Sequence, residues 1–273
     1  MNIMNNNNMV CFYTTRDGGV STGNYASFNL SEYTGDEAES VLTNRARLLQ
    51  SLGEKHLPLI IPHQTHSNEV RIIDSSFLEM STADQSTCLS GVDALVTALP
   101  NVCIAVTTAD CVPIVFFDEQ KKVIGVAHAG WRGTCGLIAK NTVETMMNHY
   151  GCASSDIKAY IGPSISPSVY EVGMEVIEEF EKAGFDIPTI ATPHNDKYLL
   201  NLWEANIQVL EQCGIARTNI ELSGQCTYTD HETYFSARRL GIKSGRILSG
   251  AYIKSTIFNT NTHSDIQTVK NNK

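Results

Sequence analysis

Apolar residues along this chain come in short runs punctuated by Gly, Pro, Asn and Asp, and the period of each run predicts an element. The stretch 9–21, MVCFYTTRDGGVS, reads as a short strand entering a Gly-Gly turn. From Asp36 to Leu52, Val41, Leu42, Leu48 and Leu49 recur among polar residues, which predicts an amphipathic helix ending near Gly53. The stretch 57–74, LPLIIPHQTHSNEVRIID, is a strand, a polar break and a second strand. Residues 92–130 form several β-rich runs separated by turns, and the polar Asp118–Lys122 segment between two of them predicts a hairpin. A helical pattern covers 133–150, a strand followed by a Gly-Pro loop covers 157–173, and 174–184 and 202–213 read as helices. The last of these carries Leu202, Trp203, Ile207 and Leu210 on one face. The expected fold class is α+β, a single domain over 1–273 built around mixed β-sheets with flanking helices, with polar ends at about 1–9 and 259–273.

Composition narrows what such a domain does. With 42% hydrophobic and 18% charged residues in 273, the chain has enough apolar surface for a substantial core. A formal net charge of −9 argues against nucleic-acid binding through a general basic surface, although a local basic patch could still hold an anion. No run approaches the length of a membrane span, and the Asn-rich start has neither the basic leader nor the apolar core of a signal peptide. Eight cysteines without C-x-x-C spacing suggest reduced thiols in a cytoplasmic protein rather than a disulfide framework.

The chemistry concentrates where polar residues interrupt the strands. Cys111 sits in TTADCVPI and His128 in GVAHAGWRG. If the hairpin forms with its first strand beginning after Cys111 and its second ending before His128, the two are near neighbours at one end of an antiparallel ladder. Cysteine and histidine are common zinc ligands, and a three-ligand site with one open position suits catalysis. His63 and His66 in PHQTHSNEV are the candidates for a third ligand. The same residues also fit a thiol nucleophile with its histidine base, or an ordinary buried cysteine beside a satisfied loop histidine. The glycines framing Trp131 and Arg132 allow close backbone approach to a ligand. Arg16, before the first Gly-Gly pair, and Arg238 and Arg239 in YFSARRLG could each hold an anion or simply be solvated. Tyr170 and Glu171 could shape a pocket wall, and Asp110 could orient a ligand or move a proton. No Walker loop, dinucleotide fingerprint or G-x-S-x-G elbow is present.

The ordered series TTRDGGVS, HQTHSNEV, DALVT, TTADCVPI, GVAHAGWRGT, IGPSISPSVYEVG, NLWEAN and YFSARR resembles the YfiH-like, laccase-domain family from about Phe12 to Gly245. That resemblance implies a zinc site with His66, Cys111 and His128 as ligands, and Arg16 near the same pocket as a substrate-binding residue. It implies phosphorolysis of adenosine, inosine and S-methyl-5′-thioadenosine with inorganic phosphate, and adenosine deamination as a further activity. Alternatives attached to the family are an amide hydrolase editing peptidoglycan precursors and a copper-dependent polyphenol oxidase. The oxidase fits poorly, since a multicopper cluster needs more histidines than the eight present; copper could still replace zinc at one His/Cys/His site, and phenol oxidation would then depend on added copper. Ser67 stands where many members carry glycine, which leaves the ligands intact and bears on substrate preference.

Overall fold

The computed structural model describes residues 2–6, 8–54 and 56–255. In chain order the strands are β1 (Asn2–Asn6), β2 (Met9–Tyr13), β3 (Leu59–Ile60), β4 (Val70–Ile72), β5 (Ala94–Thr97), β6 (Cys103–Thr108), β7 (Val112–Asp118), β8 (Val123–Ala129), β9 (Ile157–Ile161), β10 (Glu171–Val172), β11 (Ala191–His194), β12 (Lys197–Leu200), β13 (Ile220–Leu222) and β14 (Ile247–Ile253). The helices are α1 (Ala38–Ser51), α2 (Ser75–Glu79), α3 (Thr82–Leu89), α4 (Trp131–Cys135), α5 (Ile138–Tyr150), α6 (Met174–Lys182), α7 (Ile187–Ile190), α8 (Leu202–Gln212) and α9 (Ala237–Leu240). A five-stranded sheet runs β1-β2-β14-β6-β3, a six-stranded sheet runs β13-β9-β7-β8-β5-β4, and a small sheet runs β10-β12-β11. Both larger sheets mix parallel and antiparallel pairs, so the class is α+β, as expected.

Side-chain alternation explains how the two large sheets stack. In β2, Met9, Cys11 and Tyr13 point one way and Val10 and Phe12 the other; in β6, Ile104 and Val106 oppose Cys103 and Ala105. The first group of each meets Leu95, Val115, Ile124, Val126 and Tyr160 of the six-stranded sheet in a core between the sheets. The second group packs under α1 through Leu48 and under the loop residues Phe28 and Leu30. On the far side of the six-stranded sheet, Val112, Ile114, Phe116, Ala127 and Ala129 bury against α5, α6 and α8. The layers are therefore helix, sheet, sheet, helix. Strands covered on both faces have no solvent side to keep polar, which is why residues 92–130 read as nearly continuous apolar runs.

Several expectations are refined. The 133–150 helical pattern is two helices, α4 and α5, because Leu137 takes a left-handed conformation (φ 60°) between them. The Asn-rich start, expected as a polar end, includes β1, which pairs antiparallel with β2 through its backbone. The polar tail expected after about Phe258 lies outside the described residues.

One buried polar residue fixes the wall that will matter for the site. Asn44, fully buried on α1, accepts from Val20 N at 2.9 Å. Its amide nitrogen lies 3.0 Å from Ser21 Oγ, 3.2 Å from Ser27 O and 2.9 Å from Asn29 O. These contacts hold the loop that leads into Ser31–Thr34. Truncating the side chain strands several buried partners, so Asn44→Ala lowers the unfolding free energy by about 2–3 kcal/mol, read as a drop in the urea midpoint at constant slope.

Candidate metal centre

The register of the β7–β8 hairpin brings the first two site residues together. Val112 pairs with Ala129 and Pro113 with His128, so Cys111 and Gly130 stand where the ladder runs out. His66 arrives on the loop between β3 and β4. The ligand atoms of His66, Cys111 and His128 all lie within 4.8 Å of one another, and His66 Nε2 is 3.8 Å from Cys111 Sγ. The two imidazole rings meet edge-on with centroids 4.8 Å apart. His63, the other candidate, turns away and stacks on Tyr33 at 4.2 Å.

A carboxylate absent from the sequence-level candidates organises the two histidines. Asp93, fully buried one residue before β5, accepts a hydrogen bond from His128 Nδ1 at 2.6 Å. A carboxylate can only accept, so Nδ1 carries the proton and Nε2 is left with its lone pair for a cation. The same carboxylate accepts from the backbone N–H groups of Thr65, His66 and Ser67 at 3.0, 3.1 and 2.8 Å. This is a nest of consecutive amides closed around an anion, and it holds His66 at φ 63°, in the left-handed region. The Ser67 hydroxyl lies 2.9 Å from Asp93 Oδ2 and 2.6 Å from Gly91 O, behind the site rather than in it. Gln64 ties the loop from its other side, donating to Thr107 O and accepting from Thr107 N at 2.9 and 2.8 Å. Only the placement of a charged residue at the head of the apolar run VDALVT hinted at Asp93.

The electrostatics follow from these contacts. Burial alone would raise the Cys111 thiol; the charge and hydrogen bond of His128, and then those of His66, more than offset it and bring the pKa down to about 6. His128 moves the other way, because Cys111 and Asp93 outweigh the burial that would lower it. Both shifts favour a thiolate beside an imidazolium, and a cation bound there would take the place of the imidazolium proton. Burial pushes the thiols of Cys11, Cys103, Cys135 and Cys152 up instead. All eight cysteines are free.

Two imidazoles and a thiolate suit a borderline-soft cation such as zinc. Gly130 leaves room for one: a Cβ there would stand 2.8 Å from Cys111 Sγ and 3.0 Å from His66 Cδ2. The three side chains open onto a cavity of about 390 Å³ whose walls include Tyr33, Gln64, Thr107, Ile242 and Arg246. A smaller one, about 150 Å³, lies on the other side of Cys111, walled by Asp110, Tyr170 and Arg238.

The remaining candidates take other positions. Arg16 donates through Nε and Nη2 to Ala26 O and through Nη1 to His231 O, and lies over the Phe235 ring, so its guanidinium braces backbone and does not line the larger cavity. Asp110 accepts from Thr227 Oγ1 at 2.7 Å and from Arg238 N at 2.8 Å, a tie between segments. Arg239 bonds Tyr228 O and lies over that ring.

Known proteins resemble this chain over most of its length. Residues 10–254 match the family described as multi-copper polyphenol oxidoreductase laccase. A protein of Bacteroides thetaiotaomicron named purine nucleoside phosphorylase is 45% identical over 248 residues, covering 90% of this chain and 92% of its own. Another, from an unknown prokaryotic organism and named adenosine deaminase RL5, is 44% identical, covering 89% of this chain and 93% of its own. The crystal structure of the hypothetical protein YfiH from Bacillus licheniformis superposes with a TM-score of 0.85 at 31% identity, covering 91% of this chain and 94% of that one.

Two substitutions test the centre. Asp93→Ala frees the His66 loop and the His128 ring together and weakens zinc binding by about 10–100-fold in a competition titration. Burial would raise the Asp93 carboxyl, but the His128 bond and charge and the N–H groups of Ser67 and Thr65 hold it below its usual range. Its stabilising effect is therefore full well above about pH 4 and is withdrawn as the pH falls through the depressed value. The difference in urea stability between the wild type and Asp93→Ala, measured without metal, accordingly shrinks on acidification below about pH 4. Gly130→Ala puts a methyl group against two ligands and lowers zinc affinity on the order of tenfold at a nearly unchanged melting temperature.

Proposed function

The chain belongs to the multi-copper polyphenol oxidoreductase laccase family, and we propose that within it the protein is a zinc-dependent purine nucleoside phosphorylase. The proposed substrates are adenosine, inosine and S-methyl-5′-thioadenosine with inorganic phosphate, and adenosine deamination is a further activity. The observation that carries this reading is the convergence of His66, Cys111 and His128 on one cavity in a chain so similar to a named purine nucleoside phosphorylase. Among the described residues this is the one group of three His, Cys, Asp or Glu side chains placed to share an ion, which favours a single-metal reaction over multicopper oxidation.

The chain's own residues would divide the work. His66, Cys111 and His128 would hold the cation, and when bound zinc would supply Lewis acidity and a lowered water pKa. Asp93 keeps the proton on His128 Nδ1 and the His66 loop in place. Arg246 lines the cavity with no carboxylate in ion-pair distance among the described residues, and its charge would draw phosphate toward ribose C1′. Arg16 is proposed to support the pocket from outside it, through the Ala26 and His231 carbonyls. A cytoplasmic setting would keep the eight free thiols reduced. No helix among the described residues is long and apolar enough to cross a membrane.

Zinc-loaded, copper-free protein incubated with adenosine yields adenine and ribose 1-phosphate only when phosphate is present, and inosine with or without it. Intact adenosine in both tubes overturns the reading. In Cys111→Ser, joint loss of activity and metal matches a ligand, whereas lost activity with metal retained assigns a thiol nucleophile.

A further inference from the structure

Large hydrophobic side chains that a fold leaves in water deserve a reason when they share a cavity. Among the described residues seven are exposed, and two of these, Tyr33 at 49% and Ile242 at 81%, line the larger cavity that opens from the His66, Cys111 and His128 centre. They come from segments far apart in the chain, a 3-10 turn over Glu32–Thr34 and the loop after α9.

Both are held in place before any ligand arrives. The Tyr33 ring stacks on His63 with centroids 4.2 Å apart and planes 26° from parallel. Its turn is capped by Ser31, whose hydroxyl accepts from Tyr33 N at 3.4 Å, and His63 is itself fixed by its N–H to Leu89 O at 3.0 Å. On the other segment, Arg246 donates to the carbonyls of Ile242, Ser244 and Gly245 at 2.9, 2.6 and 3.0 Å, tying down the loop that presents Ile242. The other walls are largely polar, with Thr34, Gln64, Thr107 and Arg246 among them. An aromatic face and a branched aliphatic side chain in one otherwise polar pocket match a flat, π-faced heterocycle joined to a polar group.

We propose that Tyr33 and Ile242 form a clamp for the purine base, an assignment that rests on the nucleoside reading above. The base stacks on Tyr33, Ile242 covers it, and the ribose extends along the polar wall with C1′ toward the His66, Cys111 and His128 end. The substrate class of the clamp is therefore a purine nucleoside whose sugar, rather than its base, faces the centre.

Adenine alone reads the clamp without the sugar. Calorimetric titration of the zinc-loaded full chain with adenine, alongside the KM for adenosine, compares the wild type with Tyr33→Ala, Tyr33→Trp and Ile242→Ala. All three substitutions are at exposed positions, and zinc content verifies that the centre is intact. Tyr33→Ala is expected to weaken adenine binding and raise the KM about tenfold, within the range that stacked bases lose on truncation to alanine, with kcat within about twofold. Tyr33→Trp restores both, and Ile242→Ala gives a smaller rise in KM. Adenine affinity and KM both within about twofold of wild type in Tyr33→Ala overturn the clamp, as does a fall in kcat at constant KM. Tyr33-dependent adenine binding in a wild type that cleaves no nucleoside keeps the clamp and overturns the phosphorylase reading instead.

Discussion

The buried carboxylate of Asp93 is the constraint on which the candidate centre depends. Leaving a carboxylate dry is costly unless every lone pair is used, and here the use is structural. Its acceptors are filled by three consecutive backbone N–H groups and the imidazole Nδ1–H of His128. Satisfying Asp93 therefore shapes the His66 loop, selects the His128 tautomer and sets the separation of two ligands in one stroke. The anion also offsets the charge of His128, which in turn favours the thiolate of Cys111. Geometry and protonation are not independent features of this site.

The sheets supply what Asp93 cannot. Antiparallel β5 and β8 pair Ala94 with Ala127, so Asp93, just before β5, falls beside His128 near the end of β8, and His128 N donates to Asp93 O at 2.8 Å. The β7–β8 ladder then brings Cys111 opposite Gly130, two residues past His128. With both strands buried on two faces, a slip of one residue would drive an entire apolar set into the wrong layer. The position of the ligands is thus fixed by core packing several residues away from them.

This division of labour accounts for what the sequence disclosed. The neighbourhood of Cys111 and His128 was legible because it needs only a turn at Asp118–Lys122 and two runs of similar length. His66 over His63 came from the family resemblance; the physical reason, a left-handed turn wrapped on Asp93 and a His63 ring stacked on Tyr33, depends on contacts across the fold. Asp93 itself was not singled out, since Asp is a common turn residue and its partner lies 35 positions away. The short helices α2 and α3 went unread because they bury little beyond Phe77 and so carry no periodic apolar stripe. The α4–α5 break at Leu137 falls in a run with continuous helical periodicity, which does not report a single left-handed residue.

The two activities proposed for this centre would impose opposite demands on the same substrate. Phosphorolysis breaks the bond at ribose C1′, so the sugar must face the His66, Cys111 and His128 end with phosphate beside it. Deamination attacks C6 of adenine, so the base must face that end instead. A base held between Tyr33 and Ile242 satisfies the first demand and obstructs the second, and the cavity of about 390 Å³ has one set of ligands to serve both poses. Stacking energy spent at the mouth is then uniform binding for phosphorolysis, affecting KM more than kcat, and a ground-state trap for deamination. On this proposal the balance between the two reactions would be set less by the His66, Cys111 and His128 side chains than by the apolar residues at the far end of the pocket.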